Sequence, residues 1–590
     1  MKKGVNNLKD LKWKVGGAQG EGIDSTGEIF AITLNRMGYY LFAYRHFMSL
    51  IKGGHTNYKV RIASQPVHYH GDDLDILLAF DQRTIDENFH ELKDGSILIY
   101  DSSKLKEAKI PDQGKKVNVC PIPIYDIAQQ LGNSIMKNMV AAGASCAAVG
   151  LEPSVFHEVI EGIFQKKGEN IINANKEAIK KGYDYYKENF NFKLELPEKT
   201  GKPNKNLFMT GNEGIGLGAL TAGCRFLAAY PITPATEIMY NALAHFPRFG
   251  GKIIQAEDEI AACLMAIGGN YAGVRSMTST SGPGLSLMME ALGLAGISET
   301  PLVIVDVQRG GPATGLPTKT EQSDLNEMIY GSHGEIPRIV ITPTTAEEAF
   351  YYIQHAFNLA EKYQCPVIVG TDMFMGMSKK SISDLDFGKI KINRDEIISD
   401  EELQKIEKGM FKRYNLETKT GISPRSIPGQ KNGRYVALGN EHEETGYEIE
   451  DPETRVKMMD KRMRKLKHFD PSEIGIYFSG EDQFDILLIG FGSTFAQIDE
   501  AYQELKEKGE KVAHLQVKVV YPFPRKIVGE QIQKAAKVFV VDHNATGQLR
   551  QLIQKEVGYH EKLTSILKYD GNPFSVREIV NGVLGKGVNA

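Results

Sequence analysis

With 590 residues, 42% hydrophobic and 24% charged, the chain has the length of roughly three to four domains and an ordinary globular composition. Its formal net charge of −4 argues against a nucleic-acid partner, which needs a basic surplus. The start MKKGVNNLKDLKWK lacks an apolar core and does not read as a signal peptide. The longest small or apolar run, Met139 to Leu151, is too short to cross a bilayer, so a cytoplasmic protein is expected.

The first segment, residues 1–195, opens with a β-like lead into glycines 16, 17, 20 and 22, followed by Ile23, Phe30, Ala31, Leu34 and Met37 at helical spacing up to Gly38. YYLFAY then reads as a strand, giving a βαβ unit. Its glycine turn, with Gly17, Gly20 and Gly22, sits at a helix N-terminus that suits an anion. The dinucleotide fingerprint fails, because no glycine lies three residues after Gly22. DILLAF and SILIYD continue the α/β pattern, and LPEKTGKPNKN (196–206) reads as a linker.

The second segment, 207–385, holds PLVIVDVQRG and CPVIVGTD, continuous apolar runs of the kind found in buried parallel strands. Thr345 and Glu348 make a capping-box pattern before a helix with an apolar stripe from Ala346 to Ala360. Residues 386–480 are charged and less periodic. Their run RVKMMDKRMRKLKHF, with Arg455, Lys457, Lys461, Arg462, Arg464, Lys465 and Lys467, reads either as a solvated helix or as a docking surface for an acidic partner. An α/β pattern resumes over 481–590, with a helix bearing Ile498, Ala501, Tyr502 and Leu505 and ending at Gly509. Cys120, Cys146, Cys224, Cys263 and Cys365 form no CxxC pair, so buried free thiols are expected, with no metal or cluster site in this chain.

Four features of the second segment carry chemistry. TGNEGIGLGALTAG matches GxGxxA at Gly214, Gly216 and Ala219, but without an evident upstream strand, so close helix packing explains the glycines equally well. In AYPITPATEI, Pro231 and Pro234 stiffen the loop and push Tyr230 and Thr233 toward extended backbone. In QAEDEIAACLMAI, Glu257, Asp258 and Glu259 suit a helix start. Glu259, with Ile260, Cys263 and Ile267 behind it at helical spacing, is expected on a buried stripe, where a carboxylate demands a partner. In VQRGGPATGLPTKTEQSDL, Arg309 stands at the carboxyl end of a buried strand, where open α/β sheets bind ligands. Lys319, Glu321 and Asp324 follow in a loop long enough to cover a substrate. His333, in YGSHGEIPR, reads first as a structural loop histidine and second as a pocket residue.

In order along the chain, YPITP, AEDE, TSTSGPG, QRGGPATGLPTKTEQSDL, GISPRSIPG and KRMRKLKHF resemble the α subunit of the 2-oxoacid:ferredoxin oxidoreductases, which are thiamine-diphosphate enzymes. GGAQGEG resembles the family's γ subunit fused ahead of α, and VVYPFPRKI to VVDHNATGQL its transketolase-type C-terminal domain. The resemblance implies a multi-domain α/β fold: a γ-type domain with a CoA contact, a pyrimidine-binding domain, a charged insertion and a transketolase C-terminal-like domain. It implies Glu259 as the thiamine-activating carboxylate and Thr233 beside the reacting centre. Tyr230 and Pro231 would lie against the cofactor, Arg309 would hold the substrate carboxylate, and Lys319 would meet a distal one. No GDG followed by NN is found, so Mg²⁺, the diphosphate and an iron–sulfur cluster are expected in a β subunit, in an (αβ)₂ assembly that passes electrons to ferredoxin. The γα fusion and the insertion resemble the 2-oxoglutarate subgroup most, with pyruvate and branched-chain oxoacids as alternatives. A non-catalytic CoA- or nucleotide-binding docking subunit and a non-oxidative two-chain acyl-transfer enzyme are the competing classes.

Overall fold

The computed structural model describes residues 10–49, 54–394, 396–406 and 410–587; most of the lysine-bearing start (1–9) lies outside them. Two compact units emerge. One comprises residues up to Met209 together with Met377–Leu385, the other Thr210–Gly376 together with Asp386 onward.

The first unit is built on an eight-stranded mixed sheet. Its strands run in the order Asn118–Ile122, Leu92–Asp101, Leu74–Ala79, Asp10–Ala18, His55–Ala63, Tyr40–His46, Lys379–Ile382 and Leu207–Thr210. The helix Ile23–Arg36 follows the first strand as expected. Strands Asp10–Ala18 and Tyr40–His46 both pair antiparallel with His55–Ala63, which lies between them. Trp13 and Phe30 anchor the core, and the Trp13 indole donates to Ser145 Oγ at 3.0 Å. The run from Met139 forms the helix Lys137–Ala148, buried along its whole length. It packs against Glu169–Asn189 so closely that a Cβ on Gly143 or Gly182 would strike the other helix's backbone. A helix buried on every side has no polar face, which accounts for its composition.

Two boundaries differ from expectation. Lys379–Ile382, which falls in the second sequence segment, pairs antiparallel with Tyr40–His46 and belongs to the first unit. The polar stretch 196–206 is tied down rather than free: Gly201 N donates to Gly38 O, Asn204 N to Arg36 O, and Asn35 Nδ2 to Asn206 O.

The second unit contains two sheets. A seven-stranded one runs Val519–Tyr521, Ile339–Ile341, Pro366–Asp372, Leu302–Gln308, Ser276–Thr280, Phe226–Ala229, Lys252–Gln255, parallel except for its first strand. The five-stranded sheet runs Ile476–Ser479, Val512–Val517, Ile486–Phe491, Lys537–Asp542, Leu563–Leu567. Ile476–Ser479 pairs antiparallel with Val512–Val517, so this sheet begins before residue 481. Within VKVVY the chain passes from one sheet to the other. All five cysteines are buried free thiols.

Part of the basic run departs from both of its readings. In the helix Pro452–Arg464 and the turn after it, Lys461, Arg462 and Lys465 are buried. Lys461 Nζ lies 2.7 Å and Lys465 Nζ 2.6 Å from the Glu299 carboxylate, and Arg462 holds Glu441. Arg464 is half-buried and donates to Thr418 O. Burial lowers the Lys461 ammonium to about 7 against the pull of Glu299. Lys461 and Lys465 pin the insertion to the preceding segment through Glu299, while Arg455, Lys457 and Lys467 stay exposed.

Candidate active site

The site forms at the carboxyl ends of the parallel strands in the second unit. The strand Phe226–Ala229 runs into Tyr230, which is exposed, and then the proline-bounded loop. That loop is held from behind by Asn212 Nδ2, which donates to Pro234 O at 2.7 Å. Asn212 is fully buried in the helix Gly211–Thr221, which starts with a true capping box: the Thr210 hydroxyl accepts from Glu213 N, and Glu213 accepts from Thr210 N. A short strand, Leu207–Thr210, does precede this glycine helix, contrary to the sequence reading. It brings no nucleotide fingerprint: a Cβ on Gly216 would collide with Asn241, so that glycine serves packing.

Glu259 is the first residue of the helix Glu259–Tyr271, capped by Asp258, whose carboxylate accepts from Ala261 N. It is 5% exposed, and among the described residues no other side chain hydrogen-bonds its carboxyl. Burial raises its pKa, and Asp258 adds to the rise against Arg309. Cys263 and Ile267 are buried behind it as expected, whereas Ile260 points out, 44% exposed. The SGPG turn shapes the approach, because a Cβ on Gly284 would strike both Glu259 Oε1 and Thr280 Oγ1.

Arg309 follows the strand Leu302–Gln308 directly and is 6% exposed. One guanidinium nitrogen donates to Thr233 O at 2.7 Å and another to Thr314 O at 3.1 Å. Its Nε is buried with no partner. Arg309 thus ties the proline loop to the strand end and keeps one donor in reserve. It also lines a cavity of about 590 Å³ with Gly282, Glu321, Asp324, Asn544 and Gln548. The last two follow the strand Lys537–Asp542, Asn544 in the loop after it and Gln548 at the start of the helix Gln548–Glu556; Asn544 Nδ2 donates to Gln322 O and Gln548 Nε2 to Ser323 O, stitching the 320–326 loop in place.

Thr233, Glu259 and Arg309 are brought together; other expected residues are not. Lys319 is absent from the cavity wall and lies against Gly571. His333 is exposed and borders a separate cavity of about 180 Å³ beside Glu290 and Arg455. In the first unit Gly17 lies within a strand, where a Cβ would meet Ile23 and Phe80. Gly20 and Gly22 have φ of +88° and +83°, so backbone conformation accounts for both. The helix start after them already carries Asp24, paired with Arg45, and Glu21 pairs with Lys104 and Lys137.

One feature of the site was not singled out from the sequence. Asp306, inside the apolar strand LVIVDVQ, is fully buried with both carboxyl oxygens unpartnered. Burial, then Asp324 and Glu327, raise its pKa well above the usual range. Burial together with Glu327 and Glu321 raises Asp324 to about 7, and burial raises Glu321 to about 7 as well. A carboxylate interrupting an apolar run was the available signal. No group of three or more His, Cys, Asp or Glu side chains among the described residues is arranged to hold a metal ion. No described helix is long and apolar enough to cross a membrane.

Three family models match. Residues 217–461 match the pyruvate flavodoxin/ferredoxin oxidoreductase thiamine-diphosphate-binding model, 12–185 pyruvate ferredoxin/flavodoxin oxidoreductase, and 484–579 pyruvate:ferredoxin oxidoreductase core domain II. The 2-oxoacid:ferredoxin oxidoreductase subunit alpha of a Sulfolobus species is 34% identical, over 97% of this chain and 96% of the relative. The 2-oxoglutarate synthase subunit KorA of Methanocaldococcus jannaschii is 36% identical, over 64% of this chain and 99% of its own. Among solved structures, 2-oxoglutarate:ferredoxin oxidoreductase from Magnetococcus marinus, with 2-oxoglutarate, coenzyme A and succinyl-CoA bound, superposes with a TM-score of 0.90 at 36% identity, covering 98% of this chain and 99% of that one. On identity, coverage and fold together, the chain belongs to the 2-oxoacid:ferredoxin oxidoreductase family, as a counterpart of its alpha subunit.

Proposed function

We propose that this chain is the catalytic subunit of a cytoplasmic enzyme that oxidises 2-oxoglutarate with CoA to succinyl-CoA and CO₂, two electrons passing to ferredoxin. The observation that carries the reading is the convergence of Thr233, Glu259 and Arg309 at one set of strand ends. The similarity to the Magnetococcus marinus enzyme supports the choice of substrate.

Glu259 fits thiamine diphosphate: a buried carboxyl without a side-chain partner can share a proton with an aminopyrimidine ring, and the bare Gly284 leaves it room. When bound, the cofactor supplies the electron sink for decarboxylation. Tyr230, Pro231 and Thr233 would line its approach, and Arg309 would turn its free Nε toward the substrate carboxylate. Lys319 would reach a distal carboxylate only after leaving its place against Gly571. For CoA we propose the turn at Gly17, Gly20 and Gly22, with Lys104 and Lys137 beside it.

A β subunit would supply the diphosphate-binding domain with its Mg²⁺ and the iron–sulfur cluster, in an (αβ)₂ assembly. Apolar side chains left exposed around the edge strand Lys252–Gln255 support such a partner: Tyr240, Leu243, Ile254, Ile260, Leu264 and Met265. Pyruvate is the second reading, favoured by the family models that match. CoA-dependent viologen reduction by the co-expressed complex, across a panel of 2-oxoacids without oxygen, decides between them. A preference for 2-oxoglutarate upholds the proposal, and a preference for pyruvate replaces its substrate. No reduction by a thiamine- and iron-loaded complex would return the chain to a docking or non-oxidative role.

A further inference from the structure

Beneath Arg309 lies a set of acids that the reaction outlined above does not use. Asp306 and Gln308 are two residues apart on one strand and therefore share a face. Gln308 Oε1 accepts from Asp324 N at 3.0 Å, which seats Asp324 over that same face. The Asp324 carboxyl lies under the SGPG turn, where a Cβ on Gly282 would collide with both its oxygens; its Oδ2 has no hydrogen-bond partner. The groups facing Asp324 are Asp306 from the strand, Glu321 from its own loop, Glu327 from the helix Leu325–Tyr330, and Arg309 from the strand end. The C-terminal wall presents only neutral side chains, Asn544, Ala545, Thr546 and Gln548. Carboxyls crowded against one another oppose each other's ionisation.

We propose that Asp324 is a positioning residue that sets how much of Arg309's charge the cavity presents. When protonated within the acid group it forms with Asp306, it leaves the guanidinium uncompensated for an anionic substrate; when ionised, it neutralises that charge. Three observations converge on this role. Asp324 is the foremost charged neighbour of Arg309, both line the cavity, and the buried Nε of Arg309 has no partner of its own. The retention of an acid without hydrogen-bond partners in the core strand fits a proton-holding role better than a packing one. The inference rests on the proposed role of Arg309 toward the substrate carboxylate.

The test is the pH profile of KM for 2-oxoglutarate in the assembled complex. In the unmodified enzyme KM should rise about tenfold between about pH 6 and about pH 8, with kcat changing much less. Asp324→Asn, neutral at every pH, should hold KM near its low-pH value throughout. Infrared difference spectra of the full chain should show the carbonyl stretch of a protonated carboxyl, lost or shifted in Asp324→Asn and in Asp306→Asn. A KM profile unchanged by Asp324→Asn, or the absence of that band at neutral pH, overturns the inference. Arg309→Met in the same assay separates the two readings: if it raises KM while Asp324→Asn leaves the profile unchanged, the substrate site stands without this device. If it leaves KM unchanged, the carboxylate role falls and this inference with it. Should Asp324→Asn fail to assemble, Asp324→Ser, equally neutral at every pH, carries the same expectation of a flattened profile.

Discussion

Burial raises the pKa of Glu259, and among the described residues no other side chain hydrogen-bonds its carboxyl, as its proposed role requires. Glu259→Gln keeps the shape and removes the proton, so turnover should fall about 10²–10⁴-fold with assembly unchanged, as read by steady-state kinetics alongside gel filtration. Arg309→Met should raise KM for every 2-oxoacid, and an effect on one substrate alone would show that it reads the side chain instead. Asp324 and Glu321 give a pH effect on stability whose sign is fixed. Their native pKa values near 7 exceed those of an unfolded chain, about 4, so the native state binds more protons between those limits. Stability from these groups is full below about pH 4 and is lost as pH rises to about 7. Melting temperature against pH should show this fall, and Asp324→Asn should lessen it. Thr233, Glu259 and Arg309 were legible because each stands at a punctuation mark: a proline pair, a helix start, a strand end. Asp306 and Asn212 were not, because their roles depend on neighbours brought in by tertiary structure, Asp324 and Pro234.

At the scale of elements, the helix Pro452–Arg464 shows how a charged run can mislead. Lys461 and, in the turn after the helix, Lys465 are buried because Glu299, some 160 positions earlier, accepts both, while Arg413 donates to the Glu299 carbonyl. Glu299→Gln would leave two ammonium groups without a counter-charge and should cost about 3–5 kcal/mol in denaturant unfolding. Ferredoxin kinetics should be affected only through that loss of stability. The SGPG turn makes a sharper prediction: Gly284→Ala should fold yet lose most activity, because the added Cβ displaces the Glu259 carboxyl. Near-normal activity would show that the carboxyl can move aside without consequence. Long apolar strands and the stripe of Ala346–Tyr363 were readable from periodicity alone. Lys379–Ile382 and Ile476–Ser479 are too short to declare which sheet they join.

On the scale of the whole molecule, the exposed apolar groups around the edge strand Lys252–Gln255 are the surface most in need of cover. Leu264→Asp should abolish co-purification of a β-type partner while leaving the melting temperature of the isolated chain nearly unchanged. Retained co-purification would place the partner elsewhere. The broad α/β class followed from glycine-rich turns and buried strand runs, but the course of the chain between units did not, since no local pattern encodes a return. That return governs how the protein is made. The sheet of the first unit requires Leu207–Thr210 and Lys379–Ile382, so a nascent chain holding only its first two hundred residues has an open β-edge beside Tyr40–His46. That edge stays unpaired until the ribosome has released about 180 residues more, an interval in which chaperone cover or slow pairing with a stray strand decides the yield.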